Sequence, residues 1–324
     1  MKRNISLDNV ACLMILHMMI IVHAAHICGL KGVWIDFLMN TFVCFLPWFF
    51  FKAGMFFKDN KSLNEELLNG WHRLIIPFLI FSALGWLIIT LGGNFIQGHH
   101  SISFLIKDTI KCFFWYGLIR GNAALWFLLS LFLCRICFAI LTKLKVPAII
   151  ILCCSLAFAI FFNYSSIEFP YFFGNVSNGI FFFSLGYLLK VQQYKKWLFI
   201  FAMLIFIYQF FDPLYLDFRS NKLFTDRSFL QVEAYCLASI IFFNNLFKYC
   251  FNYKIPILTH IGENTMTYYA PHYIILLSVD GILSRYITNS IVILIICIVI
   301  LIIALYTFEF IIKRFHLGWT VGTR

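Results

Sequence analysis

Apolar residues run through this chain in ten blocks parted by short polar connections, at residues 8–28, 36–57, 74–92, 123–142, 146–162, 174–191, 195–211, 228–247, 263–283 and 288–312. A helix needs about 20 apolar residues to cross the hydrocarbon core of a bilayer. The pattern therefore predicts an all-α fold: a polytopic membrane helix bundle of about ten transmembrane helices, the fifth and seventh being short, in one integral membrane domain over residues 1–324. The first block follows only Met1, Lys2 and Arg3 before the polar lead-in, as a signal peptide would. It exceeds the roughly 7 to 15 residues of a signal core, however, and carries His17, His23 and His26. It is predicted to be a retained span.

The connections supply an orientation. With the N-terminus in the cytoplasm, the inside segments hold fifteen Lys and Arg residues and the outside segments eight, while Lys52 and Arg135 fall within apolar blocks. Positive residues favour the cytoplasmic side, so both termini are expected there. The formal net charge of +11 would suggest a nucleic-acid partner in a soluble chain. Here 62% of residues are hydrophobic and 12% charged, against about 25% charged in soluble domains, and the basic residues flank apolar blocks. Nucleic acid is excluded as a partner, and membrane lipid takes its place. The eleven cysteines lack metal-ligand spacing and read as packing residues. Two longer connections, 93–122 and 212–227, are assigned to the outer side. Within the first, Phe104, Ile106, Ile110, Phe113, Phe114 and Tyr116 predict an interfacial helix, with Lys107, Asp108 and Lys111 turned to water.

Ionisable residues inside a membrane are costly and are candidates for function. His17 and His23 lie six residues apart, about 600° of helical rotation and so about 120° off one face; His26, three beyond His23, shares its side. Either His17 or His23 is a candidate base, and a histidine satisfied by a backbone carbonyl is the plainer alternative for each. Asp8 opens the same block. Lys52 sits near the cytoplasmic edge of the second block, where it reads as an interface anchor or an anion contact, and Arg73 allows the same two readings. Trp126 opens the fourth block, and Tyr268 and His272 lie in the ninth, the latter beside Pro271, which frees backbone groups that need a polar partner. Glu233 is an acid within the eighth block.

Taken in order, these segments resemble the membrane-bound acyltransferase 3 family, bacterial integral membrane O-acyltransferases that include polysaccharide and fucose O-acetylases. The resemblance covers most of the chain. It runs through Arg3 to Asp8 and the histidine-bearing first span, Trp48 to Phe57, Arg73 to Pro77, Leu125 to Leu128, Phe183 to Leu188, and Ile261 to Thr265 with Tyr269 and His272. It implies transfer of an acyl group, usually acetyl, from cytoplasmic acyl-CoA (acetyl-CoA being the usual donor) to a sugar hydroxyl, in the cytoplasmic membrane of a bacterium. The partners implied are acyl-CoA and a carbohydrate acceptor, with no metal; a homo-oligomer is left open. By position His23 matches the family's essential histidine, with His17 in reserve. The family carries a basic residue eleven positions before that histidine, whereas this chain has Cys12 before His23 and Ser6 before His17. Arg3, Lys52 and Arg73 are the nearest basic residues to take over contact with CoA.

On this reading His23 is the base or a transient acyl carrier, Arg73 with Lys52 and Arg3 holds the donor, and Asp8, Trp126, Glu233, Tyr268 and His272 belong to the substrate cavity. The rival expectation is a transporter or flippase for a lipid-linked glycan, whose polar residues would line a path and perform no reaction. Against it, the sequence lacks an evident inverted repeat.

Overall fold

The structure is a computed structural model that describes residues 4–97, 100–214, 216–223 and 228–323. Each of the ten apolar blocks is helical. We label the principal helices α1 (Ile5–Ala25), α2 (Val33–Met55), α3 (Leu63–Ile96), α4 (Ile102–Tyr116), α5 (Ala123–Lys143), α6 (Ala148–Tyr164), α7 (Tyr171–Leu189) and α8 (Lys196–Tyr208). After a short antiparallel hairpin of β1 (Leu216–Asp217) and β2 (Lys222–Leu223) come α9 (Phe229–Cys250), α10 (Pro256–Glu263), α11 (Thr265–Leu283) and α12 (Ser290–Arg314). Among the described residues seven helices are long and apolar enough to cross a membrane: α1, α2, α3, α5, α7, α9 and α12. Helices α6 and α8 are apolar but shorter. The third block extends well beyond its expected start, because the polar turn Leu63–Gly70, capped by Ser62 and Glu65, runs directly into it. The second is broken at residues 42–44, where a turn replaces helical bonding.

Two close approaches of backbone set the packing. Gly54 on α2 lies against the Phe183 carbonyl of α7, and Gly186 on α7 lies against the Phe51 carbonyl of α2. Without a Cβ at either point the two helices meet at backbone distance, as small residues permit in lipid. Gly262 on α10 meets the Asp8 carbonyl of α1 in the same way. That contact is backed by Asn9, whose amide donates to the carbonyls of Phe251 and Tyr253 at 3.0 and 3.2 Å and whose Oδ1 accepts from the Thr259 hydroxyl at 2.7 Å.

The periphery is apolar. On α12 Ile295, Val299, Ile302, Ile303, Tyr306 and Phe310 are exposed, which is the surface a lipid-facing helix presents. On α4, Leu105 and Cys112 face the protein, while Ile102, Ile106, Ile110 and Phe114 form an exposed stripe at four-residue spacing. The outward face of the interfacial segment is thus narrower than the sequence suggests, since Phe113 turns partly inward onto Phe78 and Phe172.

A Cβ at position 262 would overlap the Asp8 carbonyl oxygen, whereas one at Gly281 on α11 meets nothing within 4 Å. Gly262→Ala is therefore expected to destabilise the purified protein by about 1–3 kcal/mol or more through overpacking. Gly281→Ala should leave its thermal unfolding in detergent within error of the parent, and equal melting of the two variants would contradict the close α1–α10 contact.

Candidate active site

The first helix changes character midway. From Ile5 to His17 it is an α-helix, and from Met18 to Ala25 it widens into a π-helix. Such i→i+5 segments are rare and recur at functional sites. The widened stretch carries His23, whose Nδ1 lies 2.7 Å from Nε2 of His272 on α11, with the rings stacked at 5.0 Å between centroids. On its other side, Nδ1 of His272 bonds the Tyr269 carbonyl. Pro271 lies between these two residues and removes a backbone donor from the same turn.

The direction of this relay follows from its end. A carbonyl only accepts, so Nδ1 of His272 carries the hydrogen and, in a neutral ring, Nε2 is the acceptor. His23 must then donate from Nδ1. That leaves the lone pair on Nε2 of His23, the arrangement a general base requires. A histidine bonded to a carbonyl, the plainer alternative in the sequence, is what His272 is. His23 is one bond further out, and it lines a cavity.

That cavity has a volume of about 810 Å³, within the range of small-molecule sites. Its wall is built from the His23 end of α1, the first half of α2, the start of α5, the hairpin loop and α11. His23 and His26 share it with Trp126, Tyr269 and Tyr273, and with the charged residues Asp36, Asp217 and Arg219. The Tyr269 hydroxyl donates to the Ala124 carbonyl and ties α11 to the start of α5. Asn122 does the same from the side, donating to the Ala270 carbonyl at 3.0 Å. The wall thus sets these aromatic and polar groups among apolar side chains such as Met18, Val22, Leu30 and Leu214.

The other residues singled out in the sequence go elsewhere. His17 is buried with its ring 4.8 Å from Phe42 and 5.3 Å from Phe45, and neither of its nitrogens has a hydrogen-bond partner among the described residues. Asp8 and Lys52 pair at 3.8 Å toward the opposite end of the bundle, and Lys52 also lies 5.0 Å from the centre of the Trp48 ring. Arg73 is exposed, with its backbone against Gly322. Arg3 lies outside the described residues. Glu233 is buried and accepts from the Asn178 amide at 2.9 Å within an asparagine network; it does not line the cavity, although Cys236 one turn further along α9 does. Tyr268 donates to Glu309 at 2.5 Å; Glu309 also bonds His260 and Lys313, at 2.7 and 2.6 Å. Of the expected cavity residues Trp126 is in the wall, and His272 stands behind it holding His23. Asp36, Asp217, Arg219 and Tyr273 were not singled out, because each sits in an ordinary polar or aromatic stretch and only the tertiary fold gathers them.

An apolar helix bundle that holds a half-buried, tautomer-fixed histidine at a cavity with aromatic and charged residues in its wall has parts that a membrane-embedded transferase needs. The chain belongs to the family whose model, described as an acyltransferase domain (Acyl_transf_3), matches residues 5–309. No curated protein and no solved structure matches it. Family and apolar helices together make this a multi-pass membrane protein of acyltransferase type.

The two histidines of α1 predict opposite mutational behaviour. His17 buries two unpartnered nitrogens, each a cost of about 1–3 kcal/mol, so His17→Leu, similar in volume, should melt at or above the temperature of the parent and keep its activity. Loss of activity in a well-folded His17→Leu protein would assign chemistry to His17.

Proposed function

We propose that the protein is an O-acyltransferase, with acetyl the simplest group, that moves an acyl group from cytoplasmic acyl-CoA to a sugar hydroxyl. The acceptor is a cell-surface or exported polysaccharide or its lipid-linked precursor, and the setting is the inner membrane of a bacterium. The observation that carries this reading is the Tyr269–His272–His23 relay, which leaves Nε2 of His23 as an acceptor at the cavity wall.

The chemistry runs as follows. Nε2 of His23 takes the proton of the acceptor hydroxyl as its oxygen attacks the thioester carbonyl. The tetrahedral intermediate collapses, the carbon–sulfur bond breaks, and the CoA thiolate recovers the proton from His23. His272 keeps the ring of His23 in the required tautomer and disperses the positive charge of the transient imidazolium through its own hydrogen bond to Tyr269. Trp126, Tyr269 and Tyr273 offer faces for a sugar ring. Lys52, Arg73 and Arg3 remain the donor-side cations of this reading, with Lys52 at the end of the bundle where Asp8 lies.

General bases contribute about 10²–10⁴-fold. His23→Ala is expected to lower ester-linked acyl groups on surface glycans at least about 100-fold. His272→Ala, which removes the acceptor for His23 Nδ1 and frees its tautomer, should lower them about tenfold or more. Total exported glycan should be unchanged in both. Normal acylation in His23→Ala would defeat the proposal, and lost export with normal acylation would favour the transporter reading.

A further inference from the structure

The hairpin between α8 and α9 is clamped from beneath. Lys222 donates from Nζ to the carbonyls of Phe162, Asn163 and Ser165 at 2.9, 2.8 and 3.2 Å, at the C-terminal end of α6, where a cation is favoured. Asn221, fully buried, donates to the Ala159 carbonyl at 2.8 Å and accepts from Asn178 at 3.1 Å. Phe218 is buried and stacks on Phe50 at 5.3 Å. These contacts fix the backbone on both sides of Arg219, whose own carbonyl accepts from Asn175 at 2.9 Å.

The side chain of Arg219 is treated differently. Its neighbour Asp217 is occupied within the turn, accepting the Arg219 backbone N–H at 3.1 Å and the Ser220 hydroxyl at 2.7 Å. The guanidinium lies 5.8 Å from the centre of the Tyr171 ring and within electrostatic range of Tyr273, which meets His23 edge-on at 5.1 Å. Among the described residues it has no carboxylate partner, and it lines the cavity. A positioned guanidinium backed by aromatic rings, with its donors unengaged, is a fork for a carboxylate or a phosphate.

The geometry points to an anion-binding subsite at Arg219 that selects an acceptor bearing a carboxylate or phosphate group close to the hydroxyl being acylated. Asp36, exposed on α2, lines the same cavity and offers a carboxylate to neighbouring hydroxyls of such an acceptor. The inference rests on the acyl-transfer reading only for calling the ligand an acceptor; the anion site itself does not depend on it. The anionic group comes either from an acidic sugar or from the phosphate of a lipid-linked carrier.

Full-length protein in nanodiscs would be titrated with trigalacturonate, with neutral galactotriose and with a polyprenyl phosphate. One charged probe should bind at least about tenfold more tightly than galactotriose, the margin a charge-assisted hydrogen bond supplies. Trigalacturonate in that place identifies an acidic sugar, and polyprenyl phosphate a lipid carrier. Arg219→Gln should erase the preference and Arg219→Lys should keep part of it. If Arg219→Gln does not fold, the wild-type preference and its retention in Arg219→Lys decide the matter. Absent binding, equal affinity for all three probes, or a preference unaltered in a folded Arg219→Gln protein would overturn the inference. The same titration in His23→Ala should keep the preference, so failure of the catalytic role of His23 is read separately, from acylation.

Discussion

The carbonyl of Tyr269 can accept a hydrogen bond and cannot give one, and that asymmetry propagates through two imidazoles before it reaches the cavity. Where water is scarce, a histidine has no solvent to satisfy whichever nitrogen the protein neglects. The backbone therefore decides the protonation pattern: Tyr269 specifies His272, His272 specifies His23, and His23 faces the cavity with a lone pair. Every larger feature can be read as support for this short chain of bonds. Pro271 loosens the turn that supplies the carbonyl, the wide helical segment at Met18–Ala25 carries His23, and Tyr269 and Asn122 lash α11 to the start of α5.

Asparagine does much of the remaining stitching. Asn9, Asn122, Asn178, Asn221 and Asn244 are all buried, and each bonds a group distant in sequence. Such bonds within membranes contribute about 0.6 kcal/mol on average and up to about 2. Their value here is directional. Apolar helices slide and rotate against one another with small changes in energy, whereas an amide that must meet a particular carbonyl fixes register. Trp48, Asn244 and Gln193 form one such line across the bundle, at 2.8 Å for each bond.

The apolar blocks were legible because length and composition dictate helices in lipid, and nothing at greater range competes with that demand. Within the site, His23 and His272 could be picked out as costly polar residues, but not paired. The sequence offers no sign of the π-helical stretch in α1, a run of apolar residues around His23 that packs against α2, α11 and α12. His17 shows the reverse: the same residue type in the same helix ends among Phe42 and Phe45 with no hydrogen-bond partner among the described residues. The small hairpin has no signature in the sequence. Strands of two residues carry no periodicity, and the anchors of Arg219, the buried Asn221 and the half-buried Lys222, look in sequence like ordinary loop polarity.

His23 and His272 are 249 residues apart, and the bond that ties Thr259 to Asn9 spans 250. The opening helix must therefore enter the bilayer long before its partners have been synthesised, and it waits there with two histidines and an aspartate exposed to whatever surrounds it. Contacts of such long range are the slow ones to form. The bond that fixes the tautomer of His23 is thus made only when the ninth of the apolar blocks arrives, so a chain stalled partway through synthesis holds His23 without His272.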